Sequence, residues 1–227
     1  MDNKNLLTIM AMLRMRISDS AMEWYDQYLG SLADDFDEAV FAVAFAQVPR
    51  QVGRELVDNV PEKSLEDRRL IHLFPATVDE IARIGMILFA AERLDEDQFA
   101  GLVFDLFYKG DNRERAAVLA SLFLLPKPER FIDIAVEATR SNVQSVFEAI
   151  CCENPYPAEQ FSERNFNQMV IKALSISIAL DRILGWQDRN NFDLARMCGD
   201  YVSEREKAGR PVSPDTRRII EDHRSRS

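Results

Sequence analysis

The chain has 227 residues, of which 47% are hydrophobic and 29% charged, and its formal net charge is −10. This length and composition exclude a disordered or fibrous protein and predict a single globular domain over residues 1–227. The acidic charge argues against a nucleic-acid partner, because proteins that bind nucleic acids gain much of their affinity from basic patches.

Cysteine and histidine are too sparse to predict a metal site. The cysteines are the adjacent Cys151 and Cys152 and the distant Cys198, and the two histidines are His72 and His223. This spacing suits neither a zinc site nor a disulfide framework, and so few cysteines are typical of a reducing compartment. We therefore predict a cytoplasmic protein that needs no metal or other cofactor.

The apolar stretches predict neither secretion nor a membrane span. The first, residues 6–13, is short and follows Asp2 where a signal sequence would carry positive charge. The longest other run, residues 84–91, is bounded by Arg83 and Glu92, whereas a spanning helix needs about 20 apolar residues.

Apolar residues recur at helical spacing along the whole chain, and glycine is rare. Helices are predicted over residues 4–16, 19–31, 36–48, 64–73, 77–93, 95–109, 112–124, 128–140, 142–152, 165–180, 190–208 and 213–223. The connections between residues 77 and 152 are short, which favours antiparallel neighbours. We predict an all-α fold of antiparallel helix pairs stacked in a curled, HEAT-like (α-solenoid-like) array.

Several helix starts fit the capping box, in which the N-cap side chain and a Glu or Gln three residues later bond each other's backbone. The pairs are Thr77 with Glu80 and Ser141 with Gln144, and weaker versions are Asp95 with Gln98 and Asp111 with Glu114.

Two segments interrupt the helical pattern. One is residues 49–61, and the other is residues 153–165, which contain Asn-Pro-Tyr-Pro at 154–157 (the NPYP segment). Two prolines within three residues favour turn or extended geometry, so no helix is predicted there. A rigid loop between two helices is suited to a functional site, and a stiff connector has the same sequence.

The C-terminal half contains an ordered set of motifs that resembles the EboA family. They are ERF at 129–131, RSN at 140–142, VFEAI at 146–150, NPYP at 154–157, NQMVIKAL at 167–174, LARM at 194–197, DY at 200–201, ER at 204–205 and AGRPVSP at 208–214, and residues 48–54 are similar to a further family segment. The sequence departs from the family pattern at Phe166, where the family has Trp, and at Phe192, where it has Pro.

The resemblance implies a context rather than a reaction. EboA-like proteins have no assigned activity and occur in gene clusters beside a UbiA-type prenyltransferase, a sugar-phosphate-cyclase-like enzyme, a TIM-barrel isomerase-like protein and a metal-dependent hydrolase-like protein. Such clusters are associated with making or exporting a small secondary metabolite. The proteins encoded in the same cluster are therefore the implied partners.

Lys172 is a charged residue within a predicted helix that is mostly apolar. It shares one face of the predicted helix 165–180 with Gln168 and Ser175, among apolar neighbours. Such a lysine either loses proton affinity and serves as a base or Schiff-base amine, or it reaches water or an ionic partner. We expect it to contact a carboxylate or backbone carbonyls near the NPYP segment.

Other polar residues each allow two interpretations. Asp200 and Glu204 follow Arg196 at intervals of four residues, which fits a general acid–base pair or a solvated, charge-balanced face. Arg130 and Arg140 fit either an anion-binding role or contacts that join helix ends. Cys151 and Cys152 are predicted to be core residues, since no histidine lies near them in sequence to activate a thiolate. The candidate ligand-binding residues are Arg130, Arg140, Asn142, Asn154, Tyr156, Asn167, Gln168, Lys172, Asp200 and Glu204.

Two functions remain open from the sequence. The first is an accessory or scaffold protein that acts with neighbouring enzymes, favoured by the lack of metal ligands, phosphate loops and a nucleophile–base pair. The second is a metal-free enzyme or small-molecule binder with its site near the NPYP segment and Lys172, favoured by the polar residues concentrated there. The catalytic residues, the ligand and the oligomeric state are left open.

Elemental analysis of the purified protein tests the metal prediction. We expect no stoichiometric zinc or iron, because histidine and cysteine are too few and too far apart to ligate them. One tightly held transition metal per chain would contradict this and would direct attention to carboxylates such as Asp200 and Glu204.

Overall fold

A computed structural model describes residues 4–58 and 68–226. Helices dominate this part of the chain, and the strands found there are two residues long, β1 (Leu56–Val57) and β2 (Ala76–Thr77), paired antiparallel. The all-α prediction is confirmed. The chain divides into two compact units, Met1–Ala149 and Ile150–Ser227, which are described separately below.

The α-helices follow the predicted succession closely. They are α1 (Lys4–Arg14), α2 (Asp19–Ser31), α3 (Glu38–Val52), α4 (Val78–Arg93), α5 (Glu96–Lys109), α6 (Asn112–Ser121), α7 (Ile132–Thr139), α8 (Gln144–Cys151), α9 (Tyr156–Gln160), α10 (Glu163–Ser175), α11 (Trp186–Arg189), α12 (Phe192–Lys207) and α13 (Pro214–Arg226). Short 3-10 helices cover Arg68–Leu73, Leu122–Leu124, Pro128–Phe131 and Leu180–Arg182.

The predicted helices 64–73 and 165–180 differ in extent or type from the helices observed there. Residues 64–67 of the predicted helix 64–73 lie outside the described residues, and its remainder is a 3-10 helix. The predicted helix 165–180 is too long, because α10 ends at Ser175. Ser177 then adopts a left-handed conformation with φ 66°, which a continuing helix does not allow.

α3 continues through Pro49 to Val52, although the sequence predicted its end at residue 48. A proline within a helix lacks the N–H that would bond the carbonyl four residues earlier, here that of Phe45. The Phe45 carbonyl instead accepts a hydrogen bond from Arg83 Nε at 3.1 Å. Arg83 thus supplies the donor that Pro49 removes.

The prediction that the NPYP segment excludes a helix is wrong, because α9 begins at Tyr156. Pro155 precedes the helix and Pro157 lies in its first turn, where backbone N–H groups have no partner within the helix. The Asn154 side chain accepts the Tyr156 N–H at 2.9 Å and so satisfies one of these first donors.

The capping pairs that the sequence favoured are not the ones that form complete capping boxes in the structure. Asp95 and Asp111 head complete capping boxes at α5 and α6, although the sequence rated them as the weaker pairs. Thr77 does precede α4, but its hydroxyl donates to Asp79 at 2.6 Å instead of capping the helix. Ser141 lies too early for its predicted role, because α8 begins at Gln144 and the Ser141 hydroxyl accepts from Val143 N–H.

α4 is the central helix of the first unit and packs against α1, α3, α5 and α6. Its residues from Val78 to Ala90 are buried except Glu80, including the charged Asp79 and Arg83. Arg83, which the sequence marked only as the end of an apolar run, is 2% exposed and pairs with Asp79 at 3.0 Å. Its guanidinium also lies 3.9 Å from the Glu114 carboxylate on α6 and over the Phe45 ring.

Gly85 allows α4 to approach α1 and α2 closely. A Cβ at this position would lie 2.7 Å from the Tyr25 hydroxyl oxygen and 3.0 Å from Ile9 Cγ2. The Tyr25 hydroxyl is itself fixed, because it donates to the Ala82 carbonyl at 2.8 Å in a buried site. Burial raises the pKa of Tyr25, so this phenol stays protonated and keeps its donor role.

Gly85→Ala tests this close approach. We expect it to lower the free energy of unfolding by about 1–3 kcal/mol, because the added methyl overpacks the contact with Tyr25 and Ile9. Gly101→Ala is the matched control: it lies in α5 with open space around its Cβ position, and it should stabilise the protein by about 0.5–1 kcal/mol through helix propensity. Urea unfolding of both variants measures the difference, and equal effects would contradict the packing argument.

Candidate functional site

The candidate residues in the first unit lie at helix ends. Arg130 bridges from the 3-10 helix Pro128–Phe131 to the first turn of α5, with its Nη2 2.7 Å from the Asp97 carboxylate. Arg140 is the exposed C-cap of α7, and Asn142 is exposed in the turn before α8. Arg130 therefore joins two helix ends, as one of the two interpretations of the arginines expects, whereas a role for Arg140 and Asn142 stays a prediction.

In the second unit the NPYP segment is largely buried. Asn154 is 4% exposed, and Tyr156 has no exposed surface and packs edge-on against Phe161. The side-chain oxygen of Asn154 accepts the hydrogen bond from the Tyr156 N–H. Both side chains therefore help to build the start of α9.

Asn167 joins α10 to the start of α12. It exchanges two hydrogen bonds with Asn191, at 3.1 and 3.2 Å between amide nitrogen and oxygen. The Asn191 oxygen also accepts the Leu194 N–H at 2.9 Å and so caps α12. Asn191 was missed because the sequence prediction began this helix at residue 190, although an Asn before an apolar helical run is a recognised N-cap signal.

Arg189 was also missed, and it fastens α9 to its neighbours. Its guanidinium donates to the Ala158 carbonyl at 2.6 Å and the Phe161 carbonyl at 2.7 Å, and it lies over the Phe166 ring of α10. These carbonyls are at the C-terminal end of a five-residue helix, where backbone acceptors lack partners within the helix. Sequence spacing alone does not reveal such a contact.

Lys172 is half-buried on α10, whereas Gln168 and Ser175 on the same face are exposed. Burial lowers the pKa of Lys172, and interaction with Cys151 opposes that shift. Cys151 ends α8, three residues before Asn154, so this interaction places Lys172 near the chain that leads into the NPYP segment. The expected contact with a carboxylate or with carbonyls stays a prediction.

Asp200 and Glu204 are exposed on α12. Arg196 pairs with Asp200 at 3.2 Å and with Asp193 at 3.3 Å. This is the arrangement of a solvated, charge-balanced helix face.

A bidentate ion pair fixes the chain between α8 and α9. Arg182 Nε lies 2.8 Å from Glu153 Oε1 and Arg182 Nη2 lies 3.0 Å from Glu153 Oε2, while the Glu153 N–H donates to the Arg182 carbonyl at 2.7 Å. Glu153 has φ 52°, in the left-handed region that residues other than glycine rarely adopt. Three hydrogen bonds thus hold this strained turn in place.

The sequence matches a protein-family model over nearly its whole length. The model of the metabolite traffic protein EboA matches residues 4–221. The chain belongs to the EboA family. The resemblance seen in the C-terminal motifs therefore extends over nearly the whole sequence. No curated protein and no solved structure matches this EboA-family chain.

Two further properties of this EboA-family chain concern the described residues alone. Within 4–58 and 68–226, no group of three or more His, Cys, Asp or Glu side chains is arranged to hold a metal ion. Over the same ranges, every helix is too short or too polar to cross a membrane.

Arg189→Met tests whether the polar contacts around the NPYP segment hold the fold. We expect a loss of about 2–4 kcal/mol in the free energy of unfolding, because two carbonyls lose a charged donor. Arg196→Met, on the exposed face of α12, is the matched control and should change stability by roughly 0.5 kcal/mol or less. Similar values for the two variants in denaturant titrations would show that the Arg189 contacts contribute little.

Proposed function

We propose that this EboA-family protein is an accessory or scaffold protein, which acts with enzymes of the same gene cluster in the synthesis or export of a small secondary metabolite. Its membership of a family of metabolite traffic proteins supports the metabolic context. The proposal assigns it no reaction of its own; its partners would perform the chemistry.

The observation that carries this proposal is that the polar candidate side chains of the second unit named here either bond helix ends or face solvent. The Asn154 side chain accepts the first backbone N–H of α9, and Asn167 is paired with Asn191 between α10 and α12. Gln168, Asp200 and Glu204 are spread over exposed faces of two helices. Polar groups that serve a binding site converge on one concave surface, whereas these groups join helices or face solvent.

Exposed apolar side chains are the second support. Val40 and Val43 lie one turn apart on α3 and are 41% and 58% exposed, and Phe192 at the start of α12 is 68% exposed. Aromatic side chains such as Phe192 are enriched at protein interfaces, and the two valines add exposed apolar surface on α3.

The predicted architecture and location belong to the same proposal. A curled, HEAT-like array would offer an extended surface for partners, and the packing of α5 on both α4 and α6 is of the kind found between successive helices of such arrays. A cytoplasmic location is supported by three cysteines that are present as thiols.

Pairwise co-expression with each protein of the gene cluster tests the accessory role. We expect a stoichiometric complex with at least one of them, and a native mass of the isolated chain that shows no bound small molecule. A chain that binds none of these proteins but retains one small molecule in stoichiometric amount would contradict the accessory role and support the alternative below.

The alternative is a metal-free enzyme or small-molecule binder with its site near the NPYP segment and Lys172. The specific observation in its favour is the half-buried position of Lys172 on α10, where burial lowers the pKa of its amine. Desolvated lysines serve as bases and Schiff-base amines.

Lys172→Met separates this alternative from a structural role. The methionine keeps the aliphatic stem and removes the charge. If Lys172 holds a fully buried structural pair, the free energy of unfolding should fall by roughly 3–5 kcal/mol. If its role is chemical, stability should stay within about 1 kcal/mol of the parent chain. If Lys172 serves a ligand, native mass spectrometry will show that the variant has lost a small molecule retained by the parent. A variant with unchanged ligand content removes the central residue of the alternative site.

A further inference from the structure

Cys151 and Cys152 stand out because their thiols touch. The two Sγ atoms are 3.4 Å apart, and neither the accessory role nor the alternative site uses them. Side chains of adjacent residues within a helix point in different directions and do not meet. Here Cys151 is the last residue of α8 and Cys152 lies just beyond it, so the backbone leaves the helix between the two thiols.

The turn that follows holds this approach. Glu153 occupies a left-handed conformation and is fixed by the bidentate pair with Arg182 and by the bond from its N–H to the Arg182 carbonyl. The residue next to the dithiol is therefore anchored by three hydrogen bonds. The thiols meet because of a built turn rather than by the flexibility of a loop.

The ammonium group of Lys172 influences one of the two thiols. Lys172 of α10 interacts electrostatically with Cys151. A nearby ammonium favours the thiolate, which is the nucleophilic form of cysteine. Cys151 is thereby distinguished from Cys152 as the sulfur that reacts first.

We propose that Cys151 and Cys152 form a reversible oxidation site that takes hydrogen peroxide as its oxidant, with Lys172 stabilising the Cys151 thiolate. This inference is independent of the proposed accessory role. Cys151 is 1% and Cys152 6% exposed, so the oxidant that reaches them must be as small as peroxide.

The chemistry proceeds in two balanced steps. Cys151 loses its proton to water, and the thiolate attacks one peroxide oxygen; the O–O bond breaks, and the departing hydroxide takes up a proton to give water and a sulfenic acid. Cys152, also deprotonated by water, then attacks Cys151 Sγ; the S–O bond breaks, hydroxide leaves and is protonated, and the disulfide forms. The two cysteines lose two electrons, and the peroxide gains them.

The product should be easily reduced. Adjacent Cα atoms are about 3.8 Å apart across a trans peptide, which is below the range of about 4.4–6.8 Å found in ordinary disulfides. A disulfide between neighbours is therefore strained, and an external dithiol reverses it readily.

Cys198 provides an internal control. It has no exposed surface, and burial raises the pKa of its thiol to about 12. With that pKa the Cys198 thiol stays protonated at neutral pH and is a poor nucleophile.

The test uses the reduced, folded full-length chain and hydrogen peroxide. We expect the intact mass to fall by two hydrogen atoms, the peptide carrying Cys151 and Cys152 to resist alkylation after denaturation, and Cys198 to be alkylated; dithiothreitol should restore the starting mass. Cys198→Ser should behave identically. Alkylation of all three cysteines after peroxide treatment, or addition of oxygen without disulfide formation, would overturn the proposal.

Two lysine variants test the role of the cation. Because the ammonium favours the thiolate, Lys172→Met should form the disulfide several-fold more slowly at neutral pH. Lys172→Arg keeps the positive charge and should restore most of the rate. Oxidation of Lys172→Met at the parent rate, or failure of Lys172→Arg to restore it, would remove Lys172 from the site. These rates are independent of partner binding, so this proposal and the accessory role fail separately.

Discussion

The buried guanidinium of Arg83 is the constraint on which the first unit depends. It bonds the Phe45 carbonyl of α3, pairs with Asp79 on α4 and lies near Glu114 of α6. A buried charge is tolerated only when its partners compensate for the lost hydration. The helices that supply these partners must therefore keep their relative positions. α4 can be buried on almost all sides because its one buried cation is satisfied there.

The second unit follows the same physical rule with other side chains. The Asn154 side chain accepts the first N–H of α9, and Arg189 donates to carbonyls at the end of that helix. Asn191 caps α12 and also pairs with Asn167. In an EboA-family chain of short helices, many backbone groups lie at helix ends and need such partners. Polar residues concentrated near the NPYP segment are thus explained largely by helix termini. This use of polar groups is the physical basis for proposing an accessory protein.

Local signals in the sequence predicted much of this structure, and tertiary contacts account for what they missed. Helical spacing located α1, α2, α5 and α12 closely, and Asp95 formed the capping box that its spacing indicated. The course of α3 through Pro49 could not be predicted, because the compensating donor, Arg83, lies far away in sequence. The position of Pro157 inside a first helical turn was missed for a different reason: proline there is tolerated, and the prediction treated it as a helix breaker. Among the candidate residues, the site around Lys172 stays a prediction, and the sequence gave no sign of the contact between Cys151 and Cys152.

A double-mutant cycle on Pro49 and Arg83 tests most directly whether buried polar groups hold this fold by replacing missing backbone partners. Arg83→Met alone should cost roughly 3–5 kcal/mol of unfolding free energy, because Asp79 loses its buried cation and is left with the more exposed Arg113, and because the Phe45 carbonyl loses its donor. Pro49→Ala supplies a backbone N–H for that carbonyl. In this background Arg83→Met should cost about 1–2 kcal/mol less. Costs that agree within about 0.5 kcal/mol in the two backgrounds would contradict the compensation between Arg83 and Pro49.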